Sequence, residues 1–448
     1  MESKLPAKDE NQSPPPTDSG QASLAVRPFS RRDVIVVLII AWAARLIYLL
    51  VMPSSIRSFD SNSWEAVANE LAAGHNPYQT TSFLNWPPVW LQVIFVISKI
   101  STTCSIPFFR VLQAFLILVE SAVMILLIKL IREVIPAANA FLLVMVGIAL
   151  NPAAILLICQ ACNFDVIVAL WLMLFMLNLL RYNRTGDHTD WLCACLFLGL
   201  GILTKTVPVV LAPLLAGGFR VATLRLKGLG FVLLSGPVGL GMSILYVLAP
   251  ADITAKILEY RSMSGFFGFS GLFHLAGTDA LTPYYNLIFY LLLFAAMIMT
   301  TICFWRRRSI GSRETVLCAA LLLAGIPVFG PGYAPQYLYW FMPFLVATFA
   351  CFKGRWRLAL TGFAVIAVCT YLVEFAMVGA DGMFLLKLLA QNLETVYQAA
   401  SLLPLIRMCE SPTGLTLIRF PLFAAYLFLL AAGISILLQG LKGRPKMA

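Results

Sequence analysis

Twelve apolar runs dominate this chain, at about 33–52, 107–130, 137–158, 164–180, 191–205, 206–219, 229–249, 283–304, 314–330, 337–352, 358–378 and 419–441. Segments of this length and character are solvated by lipid, where only helices and closed barrels satisfy the backbone N–H and C=O groups. A barrel would show ten-residue strands of alternating polarity. These runs are continuous instead, and 31 Phe, 15 Met and 25 Pro suit broken, kinked helices. With 60% of the 448 residues hydrophobic and 12% charged, an ordinary cytosolic enzyme, a disordered chain and a secreted disulfide scaffold are excluded. The runs predict an all-α, polytopic membrane protein with about 12 transmembrane helices.

The net charge of +11 would suit a nucleic-acid partner, but its placement argues for membrane topology. Basic residues cluster at alternate run boundaries: Lys4 to Arg32, Lys129/Arg132, Arg181/Arg184, Arg220/Arg225/Lys227, Arg306 to Arg313, Lys353/Arg355/Arg357 and Lys442/Arg444/Lys446. If each run crosses once, these 22 of the 32 Lys and Arg fall on one side. The positive-inside rule makes that side the cytoplasm, with both termini there and no nucleic-acid partner implied. Counting residues 87–101 as a crossing would move two clusters outside. That segment therefore reads as a helix in the outer leaflet, opened by Pro87-Pro88 and anchored by Trp86 and Trp90.

Residues 1–28 are polar and Pro-rich and are expected to be a disordered cytoplasmic tail, ahead of a single membrane domain over 29–445. The first run lacks a cleavage signature and reads as a retained anchor. Absence of an internal repeat weighs against inverted-repeat transporters. Cys159 and Cys162 spell CxxC, but no partner at metal spacing follows.

Three long segments then lie outside the cell: 53–106, 250–282 and 379–418. In the first, Trp64, Val67, Ala68, Leu71 and Ala72 recur at helical spacing, predicting an amphipathic helix over 63–73 closed by Gly74. Asn62 and Glu65 stand in capping-box register, which favours a structural task for Glu65. Asp60, expected two residues before the cap, is either a catalytic carboxylate or a solvated loop aspartate. Gln160, Asn163 and Asp165 occupy a short turn, where Asp165 reads as a helix cap. Lys205 ends a helix just before Pro208. A lysine in an apolar hairpin must snorkel or meet an anion. Arg261 and His274 flank an aromatic, Gly-rich loop that would suit a gate over a lipid, or simply anchor at the interface. Tyr333 and Gln336 fall in a tight turn before Trp340. Within the membrane, Arg45 and Glu120 are expected to pair with each other across two helices, ahead of a proton path.

Several of these segments resemble the GT-C superfamily of membrane glycosyltransferases. Asp60 with Trp64-Glu-Ala-Val-Ala and Gly74-His75-Asn-Pro77-Tyr78 looks like that superfamily's first external loop. Asn85-Trp86-Pro87-Pro88 resembles its "YPP" segment, and Asn151-Pro152 with Gln160-Ala-Cys-Asn163-Phe164-Asp165 its "NP…GQFD" stretch, with Asn163 in place of Gln and the Gly lost. Lys205 with Pro208 and Pro213 is similar to its "K…P…LP" hairpin, and Gly332-Tyr333-Ala-Pro335-Gln336-Tyr337 to "hPQYl.w.lP". The matches run in order from about residue 57 to 345. The nearest branch uses polyprenol-phosphate-linked sugars and includes mannosyltransferases. The resemblance implies an inverting sugar transfer, at the extracytoplasmic face, from a polyprenyl-phosphate donor to a lipid- or envelope-linked glycan acceptor. Asp60 would be the general base, Arg261, Lys205 and His274 the phosphate partners, and His75, Gln160, Asp165, Glu65, Tyr333 and Gln336 further substrate contacts. The donor arrives activated, so no cofactor is implied. Many relatives carry two adjacent acids in the first loop; here Ser61 follows Asp60, which weighs against a metal requirement and against a lipid-diphosphate donor. The competing class is a secondary transporter or flippase, which should place ionisable groups at the bilayer midplane.

Overall fold

The computed structural model describes residues 31–51, 59–81, 84, 86–135, 139–248, 273, 277–306, 311–331, 335–352, 354–377 and 411–442. Arg261, His274, Tyr333 and the 1–28 tail lie outside the described residues. Every regular element among the described residues is helical. We number the main helices α1 Arg31–Val51, α2 Phe59–Ala72, α3 Pro88–Cys104, α4 Phe108–Val134, α5 Ala140–Val144, α6 Pro152–Cys159, α7 Asp165–Thr185 and α8 His188–Thr204. There follow α9 Ala216–Val221, α10 Leu224–Leu248, α11 Thr282–Arg306, α12 Ser312–Phe329, α13 Leu338–Cys351, α14 Arg355–Met377 and α15 Pro412–Lys442.

Each apolar run of the sequence carries helix among the described residues, although run 137–158 is divided into α5, a π-helical turn and α6, and run 206–219 into a 3-10 stretch at Val207–Leu215 and α9. Among the described residues seven helices are long and apolar enough to cross a membrane, or eight if the bent pair α5–α6 counts as one span. Large apolar side chains such as Leu50, Phe231, Leu292 and Phe294 project from the helix bundle, as lipid-facing residues must. Segment 87–101 forms α3, which at 17 residues is one of the shorter apolar helices and packs on α2, α4, α8 and α10. Pro88 sits in its first turn, where a missing N–H leaves no helical bond unmade.

The core lies between α4, α7, α8, α12 and α13, whose facing residues are buried. Backbones come closest at Gly199: a Cβ there would stand 2.4 Å from the Leu234 carbonyl oxygen, so α8 and α10 touch only because this position has no side chain. Helix α11 is peripheral. Arg220 donates to the carbonyls of Trp305 and Arg306 at one end of α11, and at the other Tyr285 donates to the Phe329 carbonyl of α12.

The chain between α4 and α7 is irregular, and it shapes the site. Helix α5 runs into a π-helical turn at Met145–Ala149, and α6 then leaves at 53°. Asn151 caps α6 by accepting the Ala153 N–H at 2.9 Å, and Pro152 follows as its first residue.

Candidate active site

Helix α2 starts at Phe59, earlier than its apolar periodicity suggests, so Asp60 lies in its first turn and not on the preceding loop. A carboxylate is favoured there by the exposed N–H groups and the helix dipole, which lets the helix begin upstream of Asn62. Asn62 and Glu65 consequently sit inside the helix, and the expected capping box is not how it begins. Of the expected apolar stripe, Trp64, Val67 and Ala68 are buried, Leu71 is half-buried, and Ala72, in the last turn, is exposed. Gly74 ends the helix in the left-handed region, at a φ of +77°, its N–H bonded to the Leu71 carbonyl.

Beyond α2, His75 Nδ1 stands 2.9 Å from Glu70 Oε2, and the imidazole is largely exposed. The Thr80 hydroxyl, and then His75, hold the Glu70 carboxyl below the usual carboxylate range. The Tyr78 hydroxyl, pushed up by burial, donates to the Trp86 carbonyl at 2.8 Å and ties this loop to the start of α3.

Asp60 meets the turn between α6 and α7. Asn163 Nδ2 donates to Asp60 Oδ2 at 3.1 Å, while Asn163 Oδ1 accepts the Asp165 backbone N–H at 2.9 Å. Asn163 thus supplies the cap expected of Asp165, leaving the Asp165 carboxylate for another partner. That partner is Lys205: Nζ lies 2.7 Å from Asp165 Oδ1, with both side chains almost fully buried. The Trp340 indole N–H also donates to Asp165 Oδ1, and Oδ2 has no hydrogen-bond partner among the described residues.

Four rings enclose the ammonium: Nζ is 4.3 Å from the centroid of Trp86, 4.7 Å from Tyr337, 4.8 Å from Trp340 and 5.1 Å from Phe164. Each ring face attracts a cation, and together they substitute for water around it. Tyr337 and Trp340 stack at 4.1 Å, Trp90 stacks on Phe164 at 4.6 Å, and Trp64 meets Trp90 edge-on at 5.3 Å. The field of Asp60 also reaches Lys205.

Asp60, Lys205 and Asp165 are thus joined in one cluster through Asn163. Gln160 accepts from the Tyr48 hydroxyl at 2.9 Å at the head of the same turn. Gln336 is half-buried, next in chain to Tyr337. Glu65 is half-buried on α2, and His75 is engaged with Glu70 on the exposed loop. The ring enclosure was not foreseen from sequence. Its signal was available, since a buried lysine needs both an anion and a substitute for hydration.

An apolar cavity of about 730 Å³ between α11, α12 and α15, lined by Phe289, Ala296, Cys303, Leu321 and Tyr426 among others, involves none of these residues. Among the described residues no group of three or more His, Cys, Asp and Glu could hold a metal ion.

Neither a family model nor a curated protein matches the chain. Among solved structures, it is similar to the crystal structure of ArnT from Cupriavidus metallidurans bound to undecaprenyl phosphate. The identity is 14% and the TM-score 0.48, over 92% of this chain and 81% of that one.

Proposed function

We propose that this protein is an inverting glycosyltransferase of the membrane, moving a sugar from a polyprenyl-phosphate donor to a lipid- or envelope-linked glycan acceptor at the extracytoplasmic face. One observation carries the reading: segments that resemble GT-C motifs, around residues 60, 86, 163–165, 205 and 336–340, converge on one cluster although far apart in sequence. Convergence is what a shared site requires.

In this reading Asp60 is the general base. It accepts the proton of an acceptor hydroxyl as that oxygen attacks the anomeric carbon, while the bond from that carbon to the phosphate oxygen breaks and polyprenyl phosphate departs. Asn163 fixes the rotamer of Asp60 by donating to Oδ2. Lys205 is committed to Asp165 and acts as a fixed positive field behind the site, in surroundings where such a field is weakly screened. Arg261 and His274 are carried as the direct phosphate partners, and a guanidinium fork suits a phosphate. Gln336, Gln160, Glu65, His75 and Tyr333 are carried as further substrate contacts, and the sugar is a hexose, mannose first among the candidates.

A transporter remains the competing class, and the broken span α5–α6 is the feature that favours it, since transporters bind substrate at such breaks. Here, though, the carbonyls at the break are taken up by Arg45, not offered to a ligand. Purified protein given radiolabelled polyprenyl-phosphate sugars and membrane glycolipid acceptors should release polyprenyl phosphate and label the acceptor. Vectorial uptake into liposomes without transfer would overturn the enzyme reading.

A further inference from the structure

Outside the cluster, the buried Arg45 guanidinium makes five hydrogen bonds to described residues, and its partners explain how the cluster is held. Arg45 Nε and Nη2 meet the two oxygens of Glu120 at 2.6 and 2.7 Å, and Glu120 Oε1 also accepts the Tyr339 hydroxyl at 2.8 Å. The remaining donors go to backbone: Nη1 to the carbonyls of Ala149 and Ala41, Nη2 to that of Ile148 at 3.3 Å. Those of Ile148 and Ala149 belong to the break before α6. Pro152 has no N–H to offer Ile148, four residues back, whose carbonyl keeps a long 3.3 Å bond from the Asn151 N–H, and the Ala153 N–H that would serve Ala149 is taken by the Asn151 side chain. In lipid, carbonyls that lose their helical donor this way are stabilised by another one.

The far end of α6 is held by the same two helices. Tyr48, one turn beyond Arg45 on α1, donates to Gln160, and Gln113, two turns before Glu120 on α4, donates to the Cys159 carbonyl at 2.5 Å. Helix α6 is eight residues long and is clamped at both ends by paired polar residues of α1 and α4. Its end leads directly into the turn that carries Asn163 and Asp165. Tyr339 adds a second link, because its neighbour Trp340 donates to Asp165.

We propose that Arg45 and Glu120, with Tyr48 and Gln113, are positioning residues: they set the direction of α6 and thereby hold Asn163 on Asp60. Their effect on turnover rests on the function proposed above; their effect on the turn does not.

Cys162 supplies a probe of the turn itself. It is fully buried beside Asn163, with a φ of +49°, so a shift of the end of α6 would expose its thiol. The experiment uses full-length protein with Cys162 as its single cysteine, and N-ethylmaleimide as the probe. A parallel protein keeps only Cys195, buried in α8, as the control. Arg45→Lys offers three donors at a single nitrogen, too few for the two Glu120 oxygens and three carbonyls that the guanidinium serves. It should speed Cys162 labelling by about tenfold or more, the mark of an easier local opening, while Cys195 labelling holds. Tyr48→Phe and Gln113→Met release only the far clamp and should act in the same direction, and they decide the matter if Arg45→Lys does not fold. Cys162 labelling at the wild-type rate in all folded variants overturns the proposal, as does equal acceleration at Cys195, which would mean general loosening. In the transfer assay Arg45→Lys should lower kcat and leave the donor KM nearly unchanged. If Cys162 responds but wild-type protein transfers no sugar, the function falls and the positioning stands.

Discussion

Asn163 reaches Asp60 with its amide nitrogen, 3.1 Å from Oδ2, because its amide oxygen is already bound to the Asp165 backbone N–H at 2.9 Å. The orientation is forced: a flipped amide would set its oxygen against a carboxylate and its NH₂ against an N–H donor. One residue therefore caps α7 and aims the carboxylate of α2, across more than a hundred positions of sequence.

Asn163→Asp tests this relationship. It keeps the cap but opposes two carboxylates at hydrogen-bond distance, and like charges so close favour a proton shared between them. A base that must lose that proton works only at higher pH. The rising limb of the pH profile for sugar transfer should therefore move upward in Asn163→Asp. An unshifted profile would mean that Asn163 does not control Asp60.

The Lys205–Asp165 pair makes a stability prediction. Removing one partner strands a charge in a dry site, which typically costs about 3–5 kcal/mol. Lys205→Met should lower the melting temperature sharply even though Asp165 keeps the Trp340 N–H. Lys205→Met with Asp165→Leu should recover much of that loss, since no charge is then stranded. A double variant no more stable than Lys205→Met alone would argue that the rings hold the site together without the pair.

Much of this was legible in sequence, for energetic reasons. Apolar runs in lipid have no alternative to helix, so all twelve fall on helical segments. Arg45 and Glu120 pair as expected because an unpaired charge within the membrane is costly. Lys205 meets an anion for the same reason. What was not legible depends on tertiary geometry. The start of α2 moved upstream because its first turn accepts Asp60, and the cap passed from Asp165 to Asn163, which no propensity distinguishes at that turn. Nor could spacing foretell that Trp86, Phe164, Tyr337 and Trp340, from three separate segments, close around one ammonium.

Close packing of α8 on α10 is testable at one atom. Gly199→Ala places a methyl group against the Leu234 carbonyl, which is backbone and cannot swing away. Overpacking of this kind costs about 1–3 kcal/mol, so the variant should melt lower than wild type. Gly228→Ala, inside α10 where an added methyl group meets nothing within 4 Å, is the control and should melt no lower than wild type.

Sidedness follows from the basic clusters and can be checked directly. If 22 basic residues mark the cytoplasm, Asn76, on the loop after α2, is external and both termini are internal. A single cysteine at 76 on a cysteine-free background should react with an impermeant maleimide added outside intact cells. Reaction only after permeabilisation would invert the topology and move the proposed site to the cytoplasmic face.

Of the three carboxylates of the short helix α2, Glu70 is engaged with the exposed His75, and Asp60 and Glu65 are the two candidates for the base. Asp60 is gripped by Asn163 beside the Lys205 cluster, whereas Glu65 is half-buried more than a turn further along α2. Asp60→Asn keeps size and hydrogen-bonding capacity but cannot take a proton, so donor binding and melting temperature should survive. General-base catalysis typically contributes about 10²- to 10⁴-fold, and single-turnover transfer should fall by that much. Glu65→Gln should keep most of the activity. An active Asp60→Asn beside an inactive, well-folded Glu65→Gln would move the base to Glu65. Two active variants would take α2 out of the chemistry and leave the cluster around Lys205 as a structural feature only.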